Sequence, residues 1–510
     1  MNIINRTILR LHKTIGLIIS VFFIMWFVSG IVLLYHHYPR VTDSDLYSHM
    51  EILNPEELPD ILSLPGFSDS ISFRTLSVSK NLNEIVWQIS QSGKVKETPM
   101  DYNKSDMESL VLADSVFVSQ KQITSNQLDS IALAWGNGGN IIKVDTLRNR
   151  QQWIMYERYE KYLPILRYYI DDKDKTEVFI GQESGEVLQA TTASQRFWAW
   201  IGAIPHKLYI PFLRKDVKTW ENVLFAGGLL CLLAALSGMY LGIYFLVKNY
   251  RKHRRITTPF KKGIWKWHHI SGLIFGIFLI CWGVSGCLAM QRVPKWLVNY
   301  DGDYFLSASK FWGKKPLELS AYKLDYRDIF KKYEDIKKIS WQHFGNVPAY
   351  LIVAGDKEIV IDASQPEIIK ELQLSEKDIR DSLKKYYGDD VKFTIVLMDD
   401  YDEYYLSQKD GYPLPVWKVD VLNDDGARLY ISPKDGYIKY LNNNRMAKKW
   451  LFSATHYLGI KYFVLHEPMR LICLWMLCIG CVIVCVSGIG IFLSRHKNKI
   501  ILKNTHSHKN

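Results

Sequence analysis

The sequence predicts an α-helical membrane bundle: four transmembrane helices in two tandem two-span halves, with two large α+β regions outside the bilayer. Three observations predict it. The first is internal duplication. Leu11-His12-Lys13-Thr14-Ile15-Gly16-Leu17 returns 256 residues later as Trp267-His268-His269-Ile270-Ser271-Gly272-Leu273. Phe22, Trp26, Ser29 and Gly30 return as Phe278, Trp282, Ser285 and Gly286 at the same offset. A second set, offset by 250, matches Trp200, His206, Leu208, Ser237 and Gly238 to Trp450, His456, Leu458, Ser487 and Gly488, and repetition at fixed spacing marks a repeated structural unit. The second observation is four runs, 15–35, 223–247, 270–290 and 471–493, each long and apolar enough to cross a bilayer. The third is charge. Residues 1–14, 248–266 and the tail after the fourth run hold sixteen lysines and arginines and no acidic residue, so the positive-inside rule places them in the cytoplasm and the large loops on the opposite face.

Residues 1–37 form a basic lead and the first span. Its run is longer than the apolar part of a signal peptide, and the exit Tyr35-His36-His37-Tyr38-Pro39 has no small-residue cleavage site, so it reads as a retained signal anchor. Residues 38–199 form the first outer region, 200–248 a histidine-bearing lead-in and the second span, and 249–267 a basic cytoplasmic loop. Residues 268–292 form the third span, 293–449 the second outer region, 450–494 the second histidine-bearing lead-in and fourth span, and 495–510 a basic tail. Two spans per half insert both halves in the same orientation, with a pseudo-two-fold axis along the membrane normal. The net charge of +12 thus reflects topology and attraction to anionic lipid, with no nucleic-acid partner implied.

In the second outer region, residues 376–387 read as a helix and 393–397, 403–406 and 414–420 as strands. Arg428 to Pro433 leads through Lys434-Asp435-Gly436 into Tyr437-Ile438, the alternation and turn chemistry of a hairpin. In the first, 163–169, 177–180 and 183–187 occupy the matching places, with Leu166 where the second has Trp417. Each region is therefore expected to be a helix packed on an antiparallel sheet. The stretches 40–120 and 293–370 read as additional small β-rich subdomains. All seven cysteines lie in the spans, which leaves none for the outer regions. Cys478 and Cys481 read as small packing residues in an apolar helix.

The His12 and His268 blocks, the aromatic-rich approaches to His206 and His456, the Ser-Gly pair in each span and the strand Leu414-Pro415-Val416-Trp417-Lys418-Val419-Asp420 with its Asp-Gly turn together resemble the PepSY-associated transmembrane family. Its members are iron-regulated bacterial inner-membrane proteins that include siderophore reductases, and the resemblance covers nearly the whole chain. It implies a multi-pass inner-membrane protein with cytoplasmic termini and two periplasmic PepSY-like regions. It also implies one or two haem b groups in the bundle and an oxidoreductase function, the reduction of ferric chelates so that iron is released for uptake. Some relatives carry a fused flavin reductase module. No Gly-rich dinucleotide fingerprint follows a strand here, so no flavin site is expected in this chain and electrons are expected from a quinol or a separate donor protein.

Under that resemblance the histidines are the candidate iron ligands, because haem in a bundle takes neutral imidazoles from facing helices. Repeat symmetry pairs His12 with His268 on the cytoplasmic side and His206 with His456 on the outer side. His36 and His37, where the second half has Arg292 and Val293, are candidates to replace one outer ligand or to bind substrate iron. Interfacial histidines also snorkel to headgroups or satisfy helix ends. That is the reading for His269 and His466, while His253, His496, His506 and His508 read as solvated and His49 and His343 have no recognisable partner. Trp26 and Trp282 read as interhelical packing, and Gly30 and Gly286 as points of close helix approach. Trp153, Tyr156, Trp341, Tyr401, Tyr404 and Tyr405 either form core or present a face to a bulky chelate. The competing function is a membrane-anchored PepSY module that inhibits or senses a periplasmic protease without redox activity. A transporter is disfavoured because the spans lack the charged or broken segments of a midplane site.

Overall fold

Among the described residues four helices are long and apolar enough to cross a membrane: Ile3–Leu33, Val217–His253, Gly263–Leu288 and the Glu467–Arg495 part of a helix that continues to Ser507. They make the chain a multi-pass membrane protein, and each packs on its neighbours in the order first, second, third, fourth, with the fourth closing on the first. The computed structural model describes residues 2–64, 75–90, 116–117, 123–261, 263–313, 318–407 and 411–507. The readings on His508, on the side chains of His496 and His506, and on much of 40–120 lie outside the described residues.

The helices overrun their apolar segments at the basic ends. The first begins at Ile3, where the Asn2 side chain accepts the Asn5 amide at 3.0 Å. No Pro or Gly interrupts the basic lead before the apolar run, so the lead simply continues the helix. His12 and His268 therefore sit within helices and not at their ends. The bundle core holds Phe23, Phe27, Cys231, Leu279, Cys481 and Cys485, which gives the cysteines the packing role expected of them. Gly228 and Gly286 set the crossing of the second and third spans. A Cβ at Gly228 would stand 2.8 Å from the Cys287 nitrogen, and one at Gly286 would lie 3.8 Å from the Gly228 Cα.

Outside the bundle the described residues form three sheets. Strands β1 (Thr75–Asn81), β2 (Glu84–Ser90) and β3 (Val116–Phe117) come from the first half. Strands β4 (Ile141–Leu147), β5 (Ile165–Ile170), β6 (Glu177–Gly181) and β7 (Val187–Thr191) form a four-stranded antiparallel sheet in sequence order. In the second half, β8 (Ile336–Phe344), β9 (Val347–Ala354) and β10 (Lys357–Asp362) precede a matching four-stranded sheet. That sheet comprises β11 (Phe393–Met398), β12 (Val416–Val421), β13 (Arg428–Ile431) and β14 (Ile438–Leu441). Helix Ser125–Ala134 packs Leu128 and Ala132 on Tyr168, Ile170, Val178 and Ile180. Helix Glu376–Tyr387 packs Ile379 and Leu383 on Val419, Val421, Leu429 and Ile431. These are the two expected α+β units.

The remaining strands depart from expectation. The stretches read as separate β-rich subdomains make one six-stranded sheet, β10-β9-β8-β1-β2-β3. Each half supplies a three-stranded meander, and β1 pairs antiparallel with β8, Val78 opposite Ile339 and Leu76 opposite Trp341. An isolated meander leaves an unpaired edge; joining two edges removes both and merges their apolar faces into a single core around Val78, Trp87, Ile339 and Trp341. Residues 403–406 are not a strand. The Asp402 carboxylate accepts the amides of Tyr404 and Tyr405 at 2.8 and 2.7 Å, a local turn that competes with strand pairing. Trp153, Trp341 and Tyr405 are buried core residues, whereas Tyr156 lines a cavity.

Because Val78 is wholly buried at the junction of the two halves, Val78→Asp is expected to cost more than about 3 kcal/mol through an unpaired buried carboxylate. The measurement is limited proteolysis of the membrane-inserted protein. Cleavage should move into the six-stranded sheet while the four spans stay protected, and Leu422→Asp, at a 66% exposed position, should leave the pattern unchanged.

Candidate functional site

Four histidines converge on the bundle axis in two pairs. The rings of His12 and His268 have centroids 6.4 Å apart, and those of His206 and His456 are 6.1 Å apart. His12 and His268 come from the first and third spans. His206 and His456 come from short re-entrant segments that turn back into the second and fourth spans. His206 lies on helix Ala203–Lys207, which follows the break at Gly202, and His456 lies on Thr455–Tyr457, after the wide helical turn Lys449–Ala454. Both segments end on a left-handed leucine, Leu208 and Leu458. A Cβ at Gly202 would stand 2.7 Å from Val32 Cγ1, so glycine lets this junction close against the first span.

The rings are held by one repeated device. His12 Nδ1 lies 3.2 Å from the Ala234 carbonyl and 3.3 Å from Ser237 Oγ. His268 Nδ1 lies 3.1 Å from the Val484 carbonyl and 3.0 Å from Ser487 Oγ. His206 Nδ1 lies 3.1 Å from the Trp26 carbonyl and 3.2 Å from Ser29 Oγ, and His456 Nδ1 lies 2.9 Å from Ser285 Oγ. Each serine hydroxyl donates to the carbonyl three residues earlier in its own helix, at 2.9–3.2 Å. For His12, His206 and His268 the backbone carbonyl at 3.1–3.2 Å can only accept, so Nδ1 carries the imidazole proton there. That tautomer leaves Nε2 with its lone pair, the form in which histidine binds a metal.

At three of the four histidines the glycine after the serine makes room for the ring. A Cβ at Gly238 would lie 2.7 Å from His12 Cε1, and at Gly30 or Gly488 it would lie 3.2 Å from Cε1 of His206 or His268. Gly30 thus accommodates a histidine, while Gly286 serves the helix crossing. Sequence reasoning misses these serines and glycines as parts of a site. The available signal is a Ser-Gly step at 29–30, 237–238, 285–286 and 487–488, one for every repeat-matched histidine.

Neighbouring groups fix the re-entrant segments. Trp282 Nε1 donates to the His456 carbonyl at 2.8 Å and Trp220 Nε1 to the Lys207 carbonyl at 2.8 Å. Glu403, in the turn of the second α+β unit, accepts the Lys461 amide at 3.0 Å and pairs with Lys449, so one carboxylate clamps both sides of the His456 segment. Between the two pairs lies an apolar layer in which Phe23 stacks on Phe27, and Phe27 meets Trp282 at 5.1 Å. From His12 to Ser29 the first span climbs about 25 Å at 1.5 Å per residue.

The other candidates take different places. His36 lies flat on Trp198, centroids 4.3 Å apart, and both His36 and His37 line a cavity beside the first α+β unit. His269 is buried between the second and third spans, its Nε2 3.0 Å from the Gly242 carbonyl. His466 is exposed and stacks on Tyr462 at 4.7 Å, and His49, without a recognisable partner in the sequence, stacks on Trp135 at 4.0 Å.

Among the described residues no group of three or more His, Cys, Asp or Glu side chains converges as a metal site. What the protein offers at each level is two opposed imidazoles. Residues 9–321 match the family described as PepSY-associated TM region. No curated protein matches the chain.

Proposed function

The chain belongs to the PepSY-associated TM region family, and on that premise we propose that it is an inner-membrane haem b protein that passes electrons to ferric chelates on the periplasmic side. The observation that carries this reading is the fourfold serine-bound histidine. The rings of each pair lie close together, with centroids 6.1 and 6.4 Å apart, so each pair would hold one haem iron through its two imidazoles. Two imidazoles leave four coordination positions for a planar macrocycle, which is the ligand set of a bis-histidine haem. The residues present fit that group at both levels.

Haem bound there would supply reversible one-electron chemistry, ferrous to ferric, with one electron reducing one chelated ferric ion. The chain's own groups do the rest. A serine oxygen at all four rings, joined by a backbone carbonyl at His12, His206 and His268, orients the imidazole, and a partner that accepts from Nδ1–H raises the basicity of Nε2. The apolar layer around Phe23, Phe27 and Cys481 keeps water from between the two levels. His12 with His268 lies toward the basic ends of the spans and His206 with His456 toward the sheets, so the two sites offer a route across the bilayer from a quinol or separate donor. The basic segments support cytoplasmic termini and periplasmic sheets.

The test is a reduced-minus-oxidised absorption spectrum of the detergent-purified protein, followed by anaerobic addition of a ferric chelate. A b-type spectrum that reoxidises with one ferrous ion trapped per electron is the expected result. A colourless protein after expression with ample haem would overturn the proposal and leave the anchored PepSY module.

A further inference from the structure

Where the second span begins, on the side of the sheets, a cation is buried without an anion. Arg214 closes the short helix Pro211–Arg214, just before the span starts at Val217, and it is 6% exposed. Its Nε has no hydrogen-bond partner, and among the described residues no side chain forms an ion pair with the guanidinium. Aromatic rings surround it instead: the guanidinium carbon lies 4.4 Å from the Trp220 ring centre and 5.5 Å from that of Tyr156. Ring faces attract a cation, but they offer no acceptors for the N–H fork. The charge of Glu221 reaches Arg214 without an ion pair, and Glu221 feels Lys448 as well. A guanidinium taken this far out of water is ordinarily matched by an anion.

The second half shows the same corner with its anion built in. There Arg470, the repeat match of Trp220, is 4% exposed. Its Nε and Nη2 donate to the two oxygens of Glu467 at 2.7 and 2.5 Å, and Nη1 donates to the Tyr457 carbonyl at 3.2 Å. The first half keeps the equivalent of the last bond, from Trp220 Nε1 to the Lys207 carbonyl at 2.8 Å. Val217 stands where the second half has Glu467. The first half thus holds a guanidinium over the matched side chain and lacks the carboxylate that would neutralise it. The surroundings suit a lipid. Phe212 is 79% exposed, and Val223 and Phe225 show apolar surface on the second span. Lys215 and Lys218 are exposed at the same boundary.

We infer that Arg214 seats the phosphate of an anionic phospholipid from the leaflet on the side of the sheets. The phosphate oxygens meet the guanidinium fork, Lys215 and Lys218 add attraction for the negative headgroup, and the acyl chains lie along Phe212 and the apolar surface of the second span. Trp220 joins this site to the His206 segment, because its ring carries Arg214 and its Nε1 holds the Lys207 carbonyl. Binding of the lipid requires no haem and is independent of the redox reading.

The experiment places the full chain in phosphatidylcholine nanodiscs containing a minor share of phosphatidylglycerol, and native mass spectrometry counts the lipids that stay bound after release. Phosphatidylglycerol is expected to be retained, enriched at least about fivefold over its share of the bilayer, and to raise the thermal unfolding midpoint. Arg214→Gln should abolish both effects. In pure phosphatidylcholine the same variant should be no less stable than the wild type, since it removes an unmatched charge. Val217→Glu leaves Arg214 in place, supplies the acid found in the second half, and should also displace the lipid. Lys218→Gln, at an exposed position, should weaken retention only slightly. Equal retention of the two lipids, or unchanged retention in Arg214→Gln and Val217→Glu, would overturn the assignment. Stabilisation by inorganic phosphate equal to that by phosphatidylglycerol would overturn it in favour of a free anion. Loss of haem from Arg214→Gln with lipid retention intact would overturn it in favour of a haem propionate. A colourless protein that still retains phosphatidylglycerol through Arg214 would sink the redox reading and leave this site standing.

Discussion

If the protein carries haem b at both levels as proposed, His206→Ala is expected to remove half of it, from two per chain to one, and His456→Ala to do the same. The argument is geometric. The two rings lie 6.1 Å apart, so on the haem reading they would serve one site, which loses half of its iron ligands with one imidazole gone. The double variant should therefore retain the same single haem, because residues acting as one unit are not additive. His12→Ala should remove the other haem, and combining it with His206→Ala should give a colourless protein that still folds. Haem-to-protein ratios from the pyridine haemochrome check this, with circular dichroism reporting on folding. Full haem content in His206→Ala would refute the outer pair as ligands.

Gly238→Ala is expected to reproduce the loss seen with His12→Ala without touching a histidine. The added Cβ would stand 2.7 Å from His12 Cε1, closer than real Cβ contacts come. The ring cannot easily retreat, because Nδ1 is bound to Ala234 and Ser237 on the same helix. Overpacking of this kind typically costs about 1–3 kcal/mol, and here the cheapest relief is to turn the imidazole away from the axis. The effect should be graded. Gly30→Ala and Gly488→Ala, at 3.2 Å, should keep their haems with a shifted spectrum or midpoint potential. Gly286→Ala, which meets only the Gly228 Cα at 3.8 Å, should leave haem content unchanged. A loss of haem in Gly286→Ala equal to that in Gly238→Ala would contradict the proposed role of these glycines.

The spans, the duplication and the two helix-on-sheet units were legible because each is written locally, in runs of apolar residues, motifs at fixed offset and turns such as Lys434-Asp435-Gly436. The helix ends were not, since a basic lead without Pro or Gly helps neither to start nor to stop a helix. The six-stranded sheet was not legible for a different reason. Nothing near Val78 specifies that its partner is Ile339, because pairing across that distance is decided by which edges remain open once each half has formed. The histidine pairs followed from the repeat, but the tautomer did not. It depends on which backbone carbonyls and serine oxygens the rings meet, and a sequence shows only that those groups are there. Likewise Arg214 reads as an ordinary basic residue of a membrane interface until the fold buries it with no partner for its Nε.

The pairing of β1 with β8 also imposes a schedule on synthesis. About 260 residues separate Val78 from Ile339, so at ordinary translation rates of about 5–20 residues per second, β1 waits roughly 13–50 s for its partner strand to be made. During that interval the second and third spans are entering the membrane, and the first meander holds an open edge of the kind that recruits foreign strands. A ribosome stall between the halves would leave that edge exposed outside the membrane, where the cell's folding factors would have to protect it or its proteases remove it. The duplicated halves are consequently no longer separable products, and the second must be delivered before the first can finish folding.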